Sequence, residues 1–280
     1  MSVFYAGFDM GIRNLAFCVL EHKEDGKKAV IAWDNVDLLE GGASSQTALG
    51  CAGCNAKAKW IWTAEGAPSG TRWCQGCATG VRRKKTAILK PAQSVLPCKP
   101  DAKPLKALAV SLGVAGAKTL NKTDLLTWAK SVYLMPWKAE KAMSASLDTL
   151  RKAIAVWLTS VLPTMARCAV IRIENQPVMT NPTMKSVQMI LYTLLAYRLE
   201  TEHGWTGTID FVHAGVKSKK VATTDISGAA GKYKARKDAA ETEVAGHLAS
   251  IGDASWVSFF AGRTKKSDLA DAFLMAFRSP

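Results

Sequence analysis

The segment GFDMGIRNLAFCVLE, residues 7–21, places the carboxylate of Asp9 at the end of an apolar run. The chain then turns through Gly11 into a second apolar run. One interpretation is that Asp9 only begins a turn between two strands, because Asp side chains often hydrogen-bond the backbone of a turn. The alternative is that a strand end holds Asp9 as a metal ligand, and this hypothesis requires further carboxylates elsewhere in the chain.

Runs rich in β-branched and aromatic residues extend on both sides of this segment. VFYAGFD, LAFCVLE and AVIAWDNVDLL are predicted to be three strands of an antiparallel meander. Apolar residues at helical spacing over 144–161 predict a helix that Pro163 ends. The elements predicted after it are the strand CAVIRIE, a helix over 182–203, the strand TIDFVHA and helices over 234–250 and 267–277. This order predicts an α/β fold of the RNase H-like kind, with a mixed sheet flanked by helices.

Charge and length narrow the class of protein. Lys and Arg number 37 against 23 Asp and Glu, which gives a formal charge of +14 over 280 residues. Such a surplus points to a polyanionic partner, and to nucleic acid rather than a membrane, unless the charge serves only solubility. No basic leader followed by an apolar stretch is present, and the run MILYTLLAY is far shorter than the ~20 residues that span a bilayer. We expect a soluble, intracellular protein.

Two C-x-x-C pairs lie in a segment rich in Gly, Ala, Lys and Pro. Cys51, Cys54, Cys74 and Cys77 have the spacing C-x2-C-x19-C-x2-C, which lets four thiolates surround one Zn²⁺ tetrahedrally. With four thiolates the site is closed and structural. We therefore predict a zinc ribbon-like module over residues 45–90, inserted in a core formed by 1–40 and 140–280. Three tryptophans between the pairs either pack around this ribbon or stack on bases.

The sequence KKSDLADAFLMA, residues 265–276, supplies further carboxylates. Ser267 is placed to cap a helix, so that Asp268 and Asp271 fall on one face of its first turn. The helix dipole alone would favour acidic residues there. Asp271 shares its face with apolar residues, however, and an inward carboxylate is costly unless a cation meets it.

Asp9 and Glu174, each at the end of a predicted strand, supply the other carboxylates that such a cation needs. An Asp/Glu site without histidine selects hard cations, which favours Mg²⁺, with Mn²⁺ as a substitute. Two such ions ~4 Å apart stabilise the attacking and leaving oxygens of a phosphodiester and activate the attacking water. A nuclease with such a site would cut by two-metal-ion phosphodiester hydrolysis.

Basic runs follow the zinc segment and the last predicted strand: RRKK at 82–85, KSKK at 217–220 and KYKARK at 232–237. They are expected to face phosphates, although solvated or disordered basic loops are the alternative. The predicted DNA contacts are Arg13, Gln176, Lys185, Lys217, Lys219, Lys220, Lys232, Lys234, Arg236, Lys237, Arg82 and Arg83.

Residues 104–130, PLKALAVSLGVAGAKTLNKTDLLTWAK, resemble the SAP motif, a short helical DNA-binding unit. The pattern consists of Leu105, Leu108, Leu112, Gly113, Lys118, Lys122 and Leu125. We predict a SAP-like helical module over 100–133, the alternative being an ordinary helical hairpin that packs on the core.

The blocks FDMGIRNLAF, IENQPVMTNPTMKSVQMILY and KKSDLADAFLMA resemble the signature blocks of the poxvirus-type Holliday junction resolvases, which are related to RuvC and to the fungal mitochondrial resolvases. The resemblance implies that Asp9, Glu174, Asp268 and Asp271 form the catalytic, metal-binding tetrad. One departure is that Ser267 takes the first place of an acidic pair that often precedes A-D-A in this family.

The resemblance implies a resolvase that makes paired nicks in four-way DNA junctions, in a viral replication compartment or otherwise in mitochondria or the nucleus. Alternatives are an RNase H-fold nuclease for hybrids or flaps, and a non-enzymatic zinc-containing DNA-binding protein. A nearly two-fold junction favours a homodimer, since one chain offers one tetrad. The helix MKSVQMILYTLLAYRLE is apolar over much of its circumference, which makes Leu195 a candidate interface position.

Overall fold

The computed structural model describes residues 2–40, 43–44, 50–54, 56–62, 71–79, 95–138, 142–179, 181–213, 229–263 and 265–279. The chain divides into two compact units. The first consists of Met1–Ala48 and Glu140–Pro280, and the second is Leu49–Ala139.

Strands dominate the first part of the described chain and helices the last part. The strands are β1 (Val3–Asp9), β2 (Leu15–His22), β3 (Lys28–Asp37), β4 (Ala43–Ser44), β5 (Trp60–Trp62), β6 (Thr71–Trp73), β7 (Met135–Pro136), β8 (Cys168–Glu174) and β9 (Thr208–Val212). The α-helices are α1 (Gln75–Ala78), α2 (Ala102–Ser111), α3 (Lys122–Val132), α4 (Leu147–Met165), α5 (Pro182–His203), α6 (Ala229–Ile251), α7 (Ala254–Ala261) and α8 (Lys266–Phe277). None of these described helices is both long enough and apolar enough to cross a membrane.

The first unit is built on a six-stranded mixed sheet with the order β4-β3-β2-β1-β8-β9. The pairs from β1 to β4 are antiparallel, whereas β8 runs parallel to both β1 and β9. The predicted meander is therefore one half of the sheet, and the strand that ends at Glu174 extends it from β1. The prediction of a mixed sheet flanked by helices is confirmed.

Each face of this sheet has its own apolar core. On one face, Phe8 and Phe17 pack against Trp157 of α4, together with the buried side of α5. On the other face, Trp33 stacks on Phe260 of α7, and α6 and α8 complete the cluster. Seven residues of α8 are fully buried, so this helix is covered both by the sheet and by its neighbouring helices.

Several predicted boundaries were wrong. Pro163 does not end α4, which continues to Met165, because Leu162 and Met165 are buried in the core and the proline removes only one hydrogen bond in the last turn. Helix α6 begins at Ala229 rather than at 234, and α7 was not predicted. Ser267 is not the cap of α8, since the helix begins one residue before it, at Lys266.

The second unit contains the three-stranded sheet β6-β5-β7 and the α2–α3 hairpin. The hairpin buries Leu105 and Leu125 in a cluster that also includes Met135 of β7. Gly113 and Gly116, in the turn between the helices, have positive φ values of 71° and 68°, a conformation that favours glycine. The segment with SAP resemblance is thus a helical hairpin that packs on the sheet of its own unit.

Candidate active site

Asp9 is the last residue of β1 and is 8% exposed. Phe8 belongs to the core shared with α4 and α5, so strand alternation turns Asp9 and Gly7 toward the opposite face, the side of α8. The turn after Asp9 is tight: a Cβ atom at Gly11 would lie 2.5 Å from the Asn14 carbonyl oxygen. Asp9 is therefore held at a strand end rather than in a mobile loop.

Glu174 occupies the matching position of the neighbouring strand. Phe8 of β1 pairs with Ile173 of β8, so Asp9 and Glu174 follow at the carboxyl ends of two adjacent parallel strands. Ile173 faces the same core as Phe8, which places Glu174 on the face of Asp9. Gln176 Nε2 donates a hydrogen bond of 2.9 Å to Glu174 Oε2.

Helix α8 crosses this face with its N-terminus toward the two carboxylates. Near the middle of β1, a Cβ atom at Gly7 would lie 2.3 Å from the Ala272 carbonyl oxygen. At the other end of the helix, Lys28 Nζ donates to the Phe277 carbonyl oxygen, and Lys28 lies level with the beginning of β1 through the strand register. The helix therefore runs antiparallel to β1 and begins near the end that carries Asp9.

Asp268 and Asp271 lie in the first turns of α8 and are half-buried. Ser267 Oγ donates to Asp268 Oδ1 at 3.1 Å, and Lys237 Nζ lies 3.6 Å from the same oxygen. Lys237 also donates to Ser267 Oγ at 3.0 Å. Ser267 thus orients a carboxylate and links it to α6, instead of capping the helix.

The four predicted carboxylates come from β1, β8 and α8 and share one end of the sheet. Within the described ranges, the four cysteines form a group of candidate ligands whose donor atoms all lie within 4.8 Å of one another, and the four carboxylates do not. The donor set, four carboxylates contributed without histidine, fits a hard divalent cation.

Two residues near this site were missed at the sequence level. Burial raises the pKa of Glu241 on α6, Lys266 opposes this, and Asp238 and Asp268 add to the rise. Gln188 on α5 is fully buried and accepts a 3.0 Å hydrogen bond from the Gln176 N–H. The available signal for Gln188 was an amide on the buried side of an otherwise apolar helix face.

The predicted DNA contacts differ in their surroundings. Arg13 Nη1 lies 2.6 Å from Oδ2 of Asp37, a carboxylate whose side chain is 1% exposed, so a phosphate contact would have to share or break this ion pair. Lys185 Nζ donates to Asn175 Oδ1 and to Gln188 Oε1. Lys234 and Arg236 are exposed on α6. Lys232 lies in the first turn of the same helix, but its side chain is outside the described residues. Outside the described residues altogether are Arg82, Arg83, Lys217, Lys219 and Lys220.

The four cysteines of the second unit converge as the spacing predicts. Cys51, Cys74 and Cys77 are buried and Cys54 is exposed. The Sγ atoms of Cys54 and Cys74 are 3.6 Å apart. Burial raises the pKa of Cys74, but hydrogen bonds from the Cys77 N–H and from neighbouring thiols outweigh it and lower the pKa to about 7. Burial and the hydrogen bonds of the neighbouring thiols raise the pKa of Cys77 well above its usual value. Four sulfur donor atoms that all lie within 4.8 Å of one another fit a structural Zn²⁺ ion.

The surroundings of the cysteine cluster are apolar. Trp73 is 5% exposed and packs in the cluster, while Trp60 and Trp62 are half-buried against it. A Cβ atom at Gly53 would lie 3.2 Å from Cys77 Sγ, which shows how closely the two C-x-x-C segments approach. Packing accounts for Trp73, and base stacking remains open only for the more exposed tryptophans.

A groove of about 640 Å³ runs along the α2–α3 hairpin. Its lining combines apolar side chains with four lysines, Lys103, Lys106, Lys118 and Lys122. Lys106 Nζ donates to the Lys118 carbonyl oxygen at 2.9 Å, which ties α2 to the turn before α3. The hairpin therefore presents a basic surface in the second unit.

No family model matches this chain, and no curated protein matches it either. Among solved structures, the chain is similar to the yeast mitochondrial Holliday junction resolvase Ydc2, with 12% sequence identity and a TM-score of 0.44. The match covers 97% of this chain and 76% of that chain. Similarity at this level identifies neither an activity nor a substrate, and the resemblance to poxvirus-type resolvases stays a prediction.

Proposed function

We propose that this chain is a divalent-metal-dependent endodeoxyribonuclease of the RNase H-like kind that resolves four-way DNA junctions. The observation that carries the proposal is the placement of four carboxylates at one end of the central sheet, Asp9 and Glu174 on adjacent strand ends and Asp268 and Asp271 at the beginning of α8. Carboxylates at one end of a sheet repel one another, and a divalent cation would offset this repulsion.

Asp9, Glu174, Asp268 and Asp271 would hold two Mg²⁺ ions, or Mn²⁺ in their place. When bound, the ions would offset the charge that develops on the attacking and leaving oxygens of the phosphodiester and lower the pKa of the attacking water. Gln176 and Ser267 donate hydrogen bonds to two of these carboxylates and so restrict their orientation. Orienting contacts of this kind raise the affinity of a metal site.

DNA binding is supported by charge. The chain carries a net +14, and the exposed Lys234 and Arg236 lie on α6, the helix whose Lys237 approaches Asp268. The lysines along the α2–α3 groove provide a second basic surface. Counterion release from such contacts makes binding depend steeply on salt.

Incubation of the purified protein with a labelled mobile four-way junction, with and without Mg²⁺, tests the proposal. An RNA–DNA hybrid and a flap of equal length serve as competing substrates. Mg²⁺-dependent cleavage that is selective for the junction supports the proposal. Preferential cleavage of the hybrid or the flap would mean that this nucleic acid, and not the junction, is the substrate. Tight junction binding without any cut in Mg²⁺ or Mn²⁺ would identify a non-enzymatic DNA-binding protein.

A further inference from the structure

Gln188 is an amide enclosed in the apolar core of the first unit. It lies on α5 between Val187 and Leu191, and like both of them it is 0% exposed. Its Oε1 accepts two hydrogen bonds, from the Gln176 N–H at 3.0 Å and from Lys185 Nζ at 3.1 Å. Both partners can only donate, so the oxygen must face them.

The second polar atom of this side chain has no such contacts. Gln188 Nε2 is buried and finds no hydrogen-bond partner within the described ranges. A buried N–H group without a partner destabilises a fold, and an apolar side chain of the same length would avoid that cost. The amide at this position is therefore accounted for by the two hydrogen bonds that Oε1 accepts, and not by Nε2.

These hydrogen bonds fix the segment that follows Glu174. Gln188 holds the backbone of Gln176, whose side chain donates to Glu174 Oε2. The second donor, Lys185, also donates to Asn175 Oδ1 at 2.8 Å. Both residues after Glu174 are thus tied to α5, Gln176 directly by Gln188 and Asn175 by Lys185, whose ammonium group Gln188 also contacts.

We propose that Gln188 is a positioning residue for the carboxylate of Glu174. By fixing the Gln176 backbone it sets the place from which the Gln176 amide orients Glu174 toward the divalent cation, a role that rests on the proposed function. Contacts behind a metal ligand of this kind change metal affinity by about 10- to 100-fold when removed. The contacts thus run from the buried Gln188 amide to the Gln176 backbone, and from the Gln176 side chain to Glu174.

The main test uses Gln188→Met, which keeps the length and removes the acceptor, and Gln188→Glu, which keeps an acceptor oxygen. In metal-free protein, hydrogen exchange of the Gln176 amide, referred to that of Ile171 in β8, should accelerate in Gln188→Met and stay slow in Gln188→Glu. Mn²⁺ affinity, measured by electron paramagnetic resonance, should fall about tenfold in Gln188→Met and recover in Gln188→Glu. Leu195→Ala, a core truncation on the same helix, should lower the melting temperature without changing Mn²⁺ affinity.

Gln176→Ala interrupts the same chain of contacts at a half-buried position and should weaken Mn²⁺ binding to the same extent, which keeps the test decisive if Gln188→Met does not fold. If the Gln176 amide loses its protection in Gln188→Met but Mn²⁺ affinity does not change, the positioning role is overturned. It is also overturned if the Gln176 amide stays protected in that variant. Neither result touches the proposed function. A parent protein that binds no Mn²⁺ and cuts no junction overturns the proposed function as well.

Discussion

Asp9 owes its fixed place to the two glycines beside it. A side chain at Gly7 would collide with the backbone of α8, and one at Gly11 would collide with the turn that leads into β2. The order Gly-Phe-Asp-Met-Gly therefore combines a close helix approach, a core phenylalanine and a tight turn around one carboxylate. This local geometry fixes the position of Asp9, as the metal-ligand interpretation requires, and that interpretation stays a prediction.

Replacing Asp9 by Asn or Glu174 by Gln keeps the side-chain shape and removes one negative charge. Cleavage of a four-way junction should fall by several orders of magnitude, because the site loses charge that offsets the divalent ions. Junction affinity, measured in Ca²⁺ by gel shift, should hold or rise, since less negative charge faces the phosphates.

Asp148→Asn is the matched control for these two variants. Asp148 is exposed on α4 and pairs with Arg151 and Lys152, contacts that contribute little to stability. This variant should cleave like the parent protein. If Asp9→Asn lost binding and cleavage together, Asp9 would hold the fold rather than the reaction.

Arg13 is predicted to stabilise the fold through the buried carboxylate of Asp37. Burial raises the pKa of Asp37, and Arg13 opposes part of that rise. A carboxyl with a pKa that is higher in the folded state stabilises the fold while protonated, and this contribution is lost as the pH rises through the folded-state pKa. Arg13→Ala should therefore lower the unfolding free energy by about 3–5 kcal/mol at pH 7.5, the cost typical of breaking a buried ion pair. The loss should be smaller near pH 4, because protonation of Asp37 removes the charge that Arg13 neutralises.

Urea denaturation at the two pH values measures this difference. In an Asp37→Asn background, Arg13→Ala should cost much less and its pH dependence should disappear. An equal cost at both pH values would show that Arg13 acts through packing and not through the charge of Asp37.

The close approach of α8 to β1 brings the two halves of the carboxylate set together. Gly7→Ala should lower the unfolding free energy by at least ~1–3 kcal/mol, because the new methyl group meets backbone atoms that cannot move aside without shifting the helix. Gly246→Ala, in α6, adds the same methyl group with nothing within 4 Å and should stabilise by up to ~1 kcal/mol. Thermal melts of the pair check this prediction, and equal melting temperatures would contradict it.

The cysteine cluster is predicted to hold the second unit together through zinc. Cys74→Ser should release the metal and make residues 45–90 sensitive to protease, because this small element depends on its ion for folding energy. Cys98→Ser makes the same chemical change in the same unit, at a cysteine outside the cluster, and should retain zinc. Acidification should also release the ion, since protons compete for the thiolates.

Metal content measured by mass spectrometry, together with limited proteolysis, distinguishes the two cysteine variants. Equal zinc content and equal protease resistance in Cys74→Ser and the parent protein would contradict a structural role for the cluster.

The elements that the sequence predicted best are those with one strong local signal. Strand β8 and helix α5 have the predicted bounds, since the first is a continuous apolar run and the second begins after Asn181, whose side chain accepts from the Met184 N–H. Helix α7 escaped prediction because its eight residues are too few to show a period. The extension of α4 past Pro163 depends on core burial, which lies beyond local propensity.

The candidate site also combines residues with a local sequence signal and residues placed by packing between elements. Asp9, Glu174 and Asp268 could be singled out in the sequence because each stands near an element end beside apolar residues. The β1–β8 pairing explains how Asp9 and Glu174, far apart in the chain, become neighbours. Asp271 lies midway along α8, and the assignment of all four as metal ligands stays a prediction. The supporting contacts of Gln188, Ser267 and Lys237 were not predictable, because they depend on how α5 and α6 pack. Interactions between elements are decided by packing, which a single sequence does not display.

At the scale of the whole molecule, helix α5 was expected to contribute both to the core and to an interface. Leu195 is fully buried in the core, so it does not lie on an interface side of the helix and the prediction of an interface position there was wrong. The exposed large hydrophobic residues of α5 are Met189 and Tyr197, with exposed fractions of 40% and 64%. These two positions, and not Leu195, are suitable for testing whether α5 contributes to a dimer.

We predict that the working unit is a homodimer that makes paired nicks. A four-way junction is nearly two-fold symmetric, and a two-fold dimer would place one carboxylate set on each of two opposed strands. Sedimentation should give about twice the chain mass. A cruciform plasmid should be linearised by two nicks made within the lifetime of one complex, and mixed dimers of parent and Asp9→Asn chains should leave singly nicked circles.

Met189→Glu and Tyr197→Glu test whether the dimer interface lies on α5. A monomeric variant would assign the interface to this helix, and an intact dimer would assign it elsewhere. A monomer that fully resolves junctions would contradict the paired-site mechanism, because a single carboxylate set would then have cut both strands.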